Sequence, residues 1–254
     1  MLKNPDHRSL KILILCAVVV RIFIATFFYH PDLRVYFFHG QFLSQGVFNI
    51  YSFLETNRTH LPNSNRFNYP PLAYFFFGGW HAVTSSVSGP GLTAWLNDWS
   101  GNDTSHPDLF YYLLLLKLPY FVFDFLALGT LLALAPPSKK FLFAIYWLFN
   151  PITLYGTYAM GQFDLLPTWL TLLALALAEK NHLAKSSVLL VVAGLLKSYP
   201  LLLLPFVWLK AGSFKKALQL SLLSGLVWLA LQAPFITTPG YAESVFTSGL
   251  AQRV

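Results

Sequence analysis

The chain has 254 residues, of which 56% are hydrophobic, 17% aromatic and only 11% charged. Soluble domains carry about 25% charged residues, so with a mean hydropathy of +0.54 the composition excludes a water-facing globule and predicts an all-α polytopic membrane protein. The net charge of +7 does not point to nucleic acid, because in a membrane protein the placement of Lys and Arg matters more than their sum.

The N-terminus is basic through Lys3, Arg8 and Lys11 and runs into an apolar stretch over 12–29. That stretch is long enough to cross a bilayer and lacks a small-x-small cleavage signal, so it reads as a retained signal-anchor. It holds the lone cysteine, Cys16, which excludes a disulfide within the chain. Residues 30–108 form a first outer loop far longer than an ordinary connection. Two parts of it read as interfacial helices. One carries Phe38, Phe42, Leu43 and Val47 on a helical stripe; the other opens at Tyr69-Pro70-Pro71, with proline in its first turn. Residues 71–88 can also be read as a full span. NDWSGNDTSHPD, 97–108, reads as a solvated turn. Its Asp98, Asp103, His106 and Asp108 are conceivable divalent-ion ligands but fit no ligand template, so no metal or other cofactor is expected. Asn57-Arg58-Thr59 and Asn102-Asp103-Thr104 match the N-glycosylation pattern.

Beyond the loop, apolar runs at 109–134, 141–160, 161–178, 188–209 and 217–233 bring the expectation to about seven membrane segments, some short or broken. Basic clusters lie at the N-terminus, at Lys139-Lys140, at Lys180 and Lys185, and at Lys210, Lys215 and Lys216. If they share one side, the N-terminus is cytoplasmic and the 30–108 loop external. The run 188–209 has cations at both ends yet is the length of one crossing. Lys197-Ser198-Tyr199-Pro200 interrupts it, and proline removes a helix donor and biases the residue before it away from helix. Two half-helices in a hairpin, with Lys197 near the outward turn, satisfy both observations. One tilted span with an inverted C-terminus is the alternative.

Five ionisable residues, Arg21, Lys117, Asp124, Asp164 and Lys197, fall inside these spans or at their edges. A charge at mid-bilayer costs about 2.5–3.5 kcal/mol, so they should pair or face a shared polar cavity. Lys117 and Asp124 in KLPYFVFD are too far apart for a local pair, which predicts structural roles with partners on other helices. Arg21 suits a structural role or a leaving-group contact. Asp164, in AMGQFDLLP, suits a helix cap or a cavity wall. Lys197 suits a phosphate or snorkelling to headgroups. Asp32, just outside the first span, is unremarkable by itself.

In chain order, the sequence offers Asp32 and Tyr36 after the first span, then Gln41 or Gln45 with Gly46 and Tyr51, and YPPL (69–72). KLPYFVFD follows, then Asn150-Pro151 ahead of GQFD (161–164), then GLLKSYPLLLLP (194–205). Together these resemble the multi-spanning glycosyltransferases of the C-type (GT-C) fold, which use polyprenyl-phosphate sugars. The likeness extends over essentially the whole chain. It is nearest to the mannosyltransferase-like family 87 and more distant to the dolichyl-phosphate-glucose-dependent enzymes. It implies one GT-C-like transmembrane domain over 1–254. Relatives continue into further helices, so the chain is expected to be truncated at its C-terminus or unusually short. The resemblance further implies an inverting hexosyltransferase, mannose being the expected sugar, with Asp32 as general base. Lys197, Asp164, Gln162, Tyr36, Arg66 and Tyr69 would bind substrate, and a lipid, glycan or protein hydroxyl would accept the sugar.

Two other classes compete. A secondary transporter shares broken helices and mid-depth charges, but commonly shows inverted repeats and short loops, and no internal repeat is visible. A non-catalytic scaffold would scatter its charges toward headgroups. The compact chain favours a bacterial inner (plasma) membrane over the endoplasmic reticulum.

Overall fold

The computed structural model describes residues 7–101 and 104–247, with side chains from Lys11 onward. Lys3, the Arg8 side chain, Asn102-Asp103 and the chain end after Thr247 lie outside the described residues.

All regular structure among the described residues is helical. The elements are α1 (His7–Phe27), α2 (Pro31–Ser44), α3 (Ile50–Asn57), α4 (Pro71–Ser88), α5 (Pro90–Asn97) and α6 (Leu109–Leu134). Then come α7 (Lys140–Leu148), α8 (Pro151–Thr153) running into a π turn (Leu154–Ala159), α9 (Leu165–Glu179) and α10 (Leu183–Gly194). A 3-10 turn (Tyr199–Leu203) leads into α11 (Leu204–Leu209), followed by α12 (Phe214–Ile236) and a terminal π turn (Glu243–Thr247). Helices α6 and α12 are long and apolar enough to cross a membrane, and α1 with α2 makes a third span only if that pair, bent by 76°, is counted as one.

The expected runs 141–160 and 161–178 are shorter and more broken than a full crossing. Pro151 cannot continue α7; Asn150 Oδ1 instead accepts from Ile152 N at 2.9 Å and starts a new turn. The second run becomes helical only at Leu165, after Gly161–Asp164. The interruption at Lys197–Pro200 does fold 188–209 into two pieces, although the first begins earlier, at Leu183. Leu201 packs so closely on Gly194 that a Cβ there would lie 2.4 Å from its side chain, and any larger residue would have to displace that leucine.

The loop after α1 also differs from expectation. Rather than lying on a surface by one stripe, α2 is enclosed: Leu33, Arg34 and all of Tyr36 to Phe42 are buried. Gly40 and Gly78 let α2 and α4 approach at backbone distance, since a Cβ on Gly40 would meet the Phe77 carbonyl carbon at 2.9 Å. Arg34 supplies a second hold. Its guanidinium donates to Trp95 O at 2.5 Å and to Asp98 O, carbonyls at the end of α5, and stacks 4.5 Å from the Trp99 ring centroid. Gln41 and Asn97 close the α2–α5 contact with a reciprocal amide pair, at 3.2 and 2.9 Å.

Arg21 and Asp124, 0% and 1% exposed, form an ion pair at 2.6 Å between α1 and α6. Trp147 Nε1 donates to Asp124 Oδ1 at 2.6 Å and Tyr158 Oη to Oδ2 at 2.8 Å, while Arg21 Nη1 donates to Leu148 O at 2.7 Å. The pair therefore fastens the break between α7 and α8 to the two helices. Removing one partner of such a pair costs about 3–5 kcal/mol because the other charge stays buried. Asp124→Leu is thus expected to lower the detergent-unfolding midpoint sharply, and Arg21→Met with Asp124→Leu to recover most of the loss. Equal losses in the single and double variants would contradict this account.

Candidate functional site

Asp32 owes its position to the start of α2. Pro31 occupies the first helical position, where its missing N–H is not needed, and His30 Nδ1 accepts from Asp32 N at 3.2 Å. The carboxylate therefore stands in the first turn, where the helix dipole favours negative charge. It remains 43% exposed.

The opposing wall is the segment Gly161–Asp164. It is delivered by the π turn, in which Met160 N–H reaches Tyr155 O at 2.9 Å and Gln162 N–H reaches Gly156 O at 3.0 Å. Gly161 has φ +76°, and a Cβ there would lie 2.8 Å from the Leu33 Cβ. Glycine thus satisfies both the left-handed backbone and the close approach to α2. Tyr120 Oη donates to Gly161 O at 2.9 Å. The buried Phe163 ring anchors the segment against Tyr36, Tyr69, Phe76 and Phe77.

Gln162 is the hub. Its Nε2 donates to Asp32 Oδ2 at 2.8 Å, and its Oε1 accepts from Tyr36 Oη at 3.1 Å and Lys197 Nζ at 3.4 Å. A carboxylate only accepts and an ammonium only donates, so an amide is the side chain that can bridge the two without repelling either. Summing the two hydrogen bonds and the amide width, Asp32 Oδ2 and Lys197 Nζ are at most about 9 Å apart. Lys197 also pairs with Asp164 at 2.8 Å and lies 4.9 Å from the Phe163 ring centroid and 5.6 Å from that of Tyr69. Asp164 makes no side-chain cap to α9; its carboxylate is instead paired with Lys197. Tyr36 and Tyr69 share a hydroxyl contact of 2.9 Å. Burial raises the Tyr69 phenol above its ordinary value, which keeps its proton available for hydrogen bonding.

Two cavities meet here. The smaller, about 220 Å³, is lined by Asp32, Tyr36, His39, Asn65 and Arg66 among others. The larger, about 650 Å³, is lined by Lys197, Tyr199, Leu201, Trp228 and Phe246 among others. Asn68 and Tyr69 belong to both walls. The Asn68 Oδ1 is buried without a hydrogen-bond partner. Arg66 lines the smaller cavity, but its guanidinium is engaged by Glu55 at 3.2 Å and by Glu243. Asn65 and Asn68 were not among the sequence-derived candidates. The amide-rich stretch PNSNRFN, inside an otherwise aromatic loop, is the signal that marks them.

The remaining candidates lie apart from this site. Arg21 and Asp124 are locked together in the helix core, so Arg21 takes the structural alternative. Lys117, 0% exposed, donates to Ala25 O, Phe28 O and Tyr158 O at 3.1, 2.7 and 2.7 Å. Asp98 and Asp108 are turn residues: Asp98 Oδ1 accepts from Ser100 N at 3.1 Å, and Asp108 N donates to His106 Nδ1 at 3.2 Å. Their proposed companion Asp103 is outside the described residues.

Among the described residues the regular structure is all helical, two helices are long and apolar enough to cross a membrane, and a partly exposed acid–amide–cation constellation borders two cavities. Comparison with protein-family models, with curated proteins and with solved structures finds no match.

Gly161→Ala should cost about 1–2 kcal/mol from the left-handed backbone alone, before the contact with Leu33 is counted. Gly156→Ala, where a Cβ meets nothing within 4 Å, serves as the control and should be near neutral. Unfolding midpoints of the two variants check this, and equal midpoints would contradict the assigned role of Gly161.

Proposed function

We propose that this chain is a membrane glycosyltransferase of the GT-C type, transferring a hexose, mannose by resemblance, from a polyprenyl-phosphate sugar to an acceptor hydroxyl. In this reading the N-terminus is cytoplasmic and the Asp32 site opens on the outer face. The short pieces α7–α8, α9 and α10–α11 complete a bundle of about seven segments. The observation that carries the proposal is the placement of Asp32 and Lys197 at opposite ends of one glutamine amide.

The acceptor O–H gives its proton to Asp32 as its oxygen bonds to the anomeric carbon. Asp32 Oδ1 is suited to this, because Gln162 engages the other carboxylate oxygen and holds the group still. The bond from the anomeric carbon to the phosphate oxygen breaks, and its electron pair leaves on the phosphate. Lys197 takes up the growing charge. Its contact with Gln162 is long, at 3.4 Å, so a phosphate oxygen could take the place of that amide. A single base set on the opposite side from the leaving-group cation implies attack from the face away from the phosphate. Inversion at the anomeric carbon follows. The larger cavity, with Trp228, Leu201 and Phe246 on its wall, offers apolar surface for the first units of the prenyl tail.

The burial of Arg21, Lys117 and Asp124 also weighs against a scaffold, whose charges would be directed to headgroups. The test is release of polyprenyl phosphate from a panel of polyprenyl-phosphate hexoses, with membrane extract supplying acceptors. Asp32→Asn should lower turnover about 10²–10⁴-fold and Lys197→Met about 10²–10³-fold, with unchanged unfolding midpoints. Near wild-type transfer by Asp32→Asn would remove the assignment. Solute uptake into proteoliposomes without donor cleavage would favour the transporter.

A further inference from the structure

A third cavity, of about 450 Å³, lies at the far end of the α9–α10 pair from Asp164 and Lys197. Helix α9 separates the two regions by its 15 residues, or about 22 Å at 1.5 Å per residue. The cavity wall combines Asn181 and His182 from the α9–α10 turn and Lys185 from the first turn of α10 with Lys210 after α11 and Lys216 and Gln219 from α12.

The turn is held in one geometry. Asn181 adopts φ 62°, its N–H reaches Ala178 O at 3.0 Å, and His182 N–H reaches Leu177 O at 2.8 Å. This is a Schellman closure with asparagine in the left-handed position. Asn181, His182 and Lys185 are therefore presented by fixed backbone. None of the lining residues is acidic. Lys210 is paired with Glu179 at 2.9 Å, whereas Lys185 and Lys216 have no carboxylate partner among the described residues. Two positive charges thus face one concave, amide-lined space without compensation.

What lies beside the cavity indicates the ligand. On the neighbouring face of α12, Leu218, Leu222, Leu226 and Leu229 follow helical spacing and are 48%, 59%, 65% and 50% exposed. Leu222 and Leu226 stand three and seven residues on from the lining residue Gln219, so the stripe borders the cavity on that side, and it runs along a helix long enough to cross a membrane. A free phosphate would use the cations but not the stripe. A molecule with an anionic head and long apolar chains uses both.

We infer that this cavity binds the phosphate headgroup of an anionic glycerophospholipid, in the leaflet opposite the Asp32 site, with its acyl chains along the leucine stripe of α12. The site does not depend on the glycosyltransferase proposal, since it shares no residue with the Asp32 cavities. A basic pocket beside a membrane helix gains from each lysine near an anionic headgroup.

The test is native mass spectrometry of the full chain in mixed micelles holding equal phosphatidylglycerol and phosphatidylcholine. Phosphatidylglycerol adducts should predominate. Lys185→Gln and Lys216→Gln should each reduce that preference about fivefold, and the double variant about 25-fold. Both side chains are exposed, so folding is not at risk. Lys139→Gln with Lys140→Gln removes the same charge at another turn and should leave the preference intact. Equal occupancy by the two lipids, or an unchanged preference in the double variant, would overturn the inference. So would displacement of phosphatidylglycerol by excess inorganic phosphate, which would assign the cavity to a free anion.

Discussion

The Lys117 ammonium is the interaction on which the rest of the structure depends. It is buried in α6 without a carboxylate, and its three donors meet Ala25 O, Phe28 O and Tyr158 O. Two of these carbonyls belong to the end of α1, where unsatisfied carbonyls concentrate the negative end of the helix dipole. The third belongs to the π turn. Phe28 and Tyr158 each stand four residues ahead of a site residue, Asp32 and Gln162 respectively. One buried amine therefore ties together the two chain segments that carry the carboxylate and the amide. A buried ammonium tolerates little displacement from its acceptors, and the Asp32–Gln162 contact inherits that precision.

The charges divide by exposure. Arg21, Asp124 and Lys117 are sealed and each is held by partners on other segments, and they fasten α1, α6 and the broken α7–α8 region. Asp32 and Asp164 are 43% and 45% exposed, and Lys197 18%, around cavities able to admit a ligand. The first group fixes a frame in the buried interior, where an uncompensated charge is costly. The second remains accessible beside those cavities, as the proposed proton transfer and phosphate contact would require. Positive-φ Gly161, the close-packed Gly194 and the π turn lie between the groups, at the points where regular helix gives way to site.

Much of this was legible in the chain. The run 109–134 coincides with α6, since a long uninterrupted apolar stretch leaves little choice. Pro71 marks the start of α4, and Lys197–Pro200 marks the hairpin, because proline acts locally through its ring and missing N–H. The expectation that intramembrane charges would find partners followed from solvation cost alone. What could not be read was tertiary. The aromatic face of α2 looks the same whether it meets lipid or α4, and only the Gly40–Gly78 crossing distinguishes them. The break at Asn150-Pro151 carried its own proline signal, but the apolar residues on both sides masked it. Gln162 was a candidate through resemblance, yet its place between acid and amine arises from a π turn that leaves no periodic trace in sequence.

The measurement that tests the central claim most directly is thiol cross-linking of Asp32→Cys with Lys197→Cys in a Cys16→Ser background, in native membranes. The account predicts that a short bifunctional reagent joins the two positions within one chain, and that one membrane-impermeant thiol reagent reaches both from the same side. Labelling from opposite sides, or failure to cross-link while each cysteine alone is reactive, would contradict it.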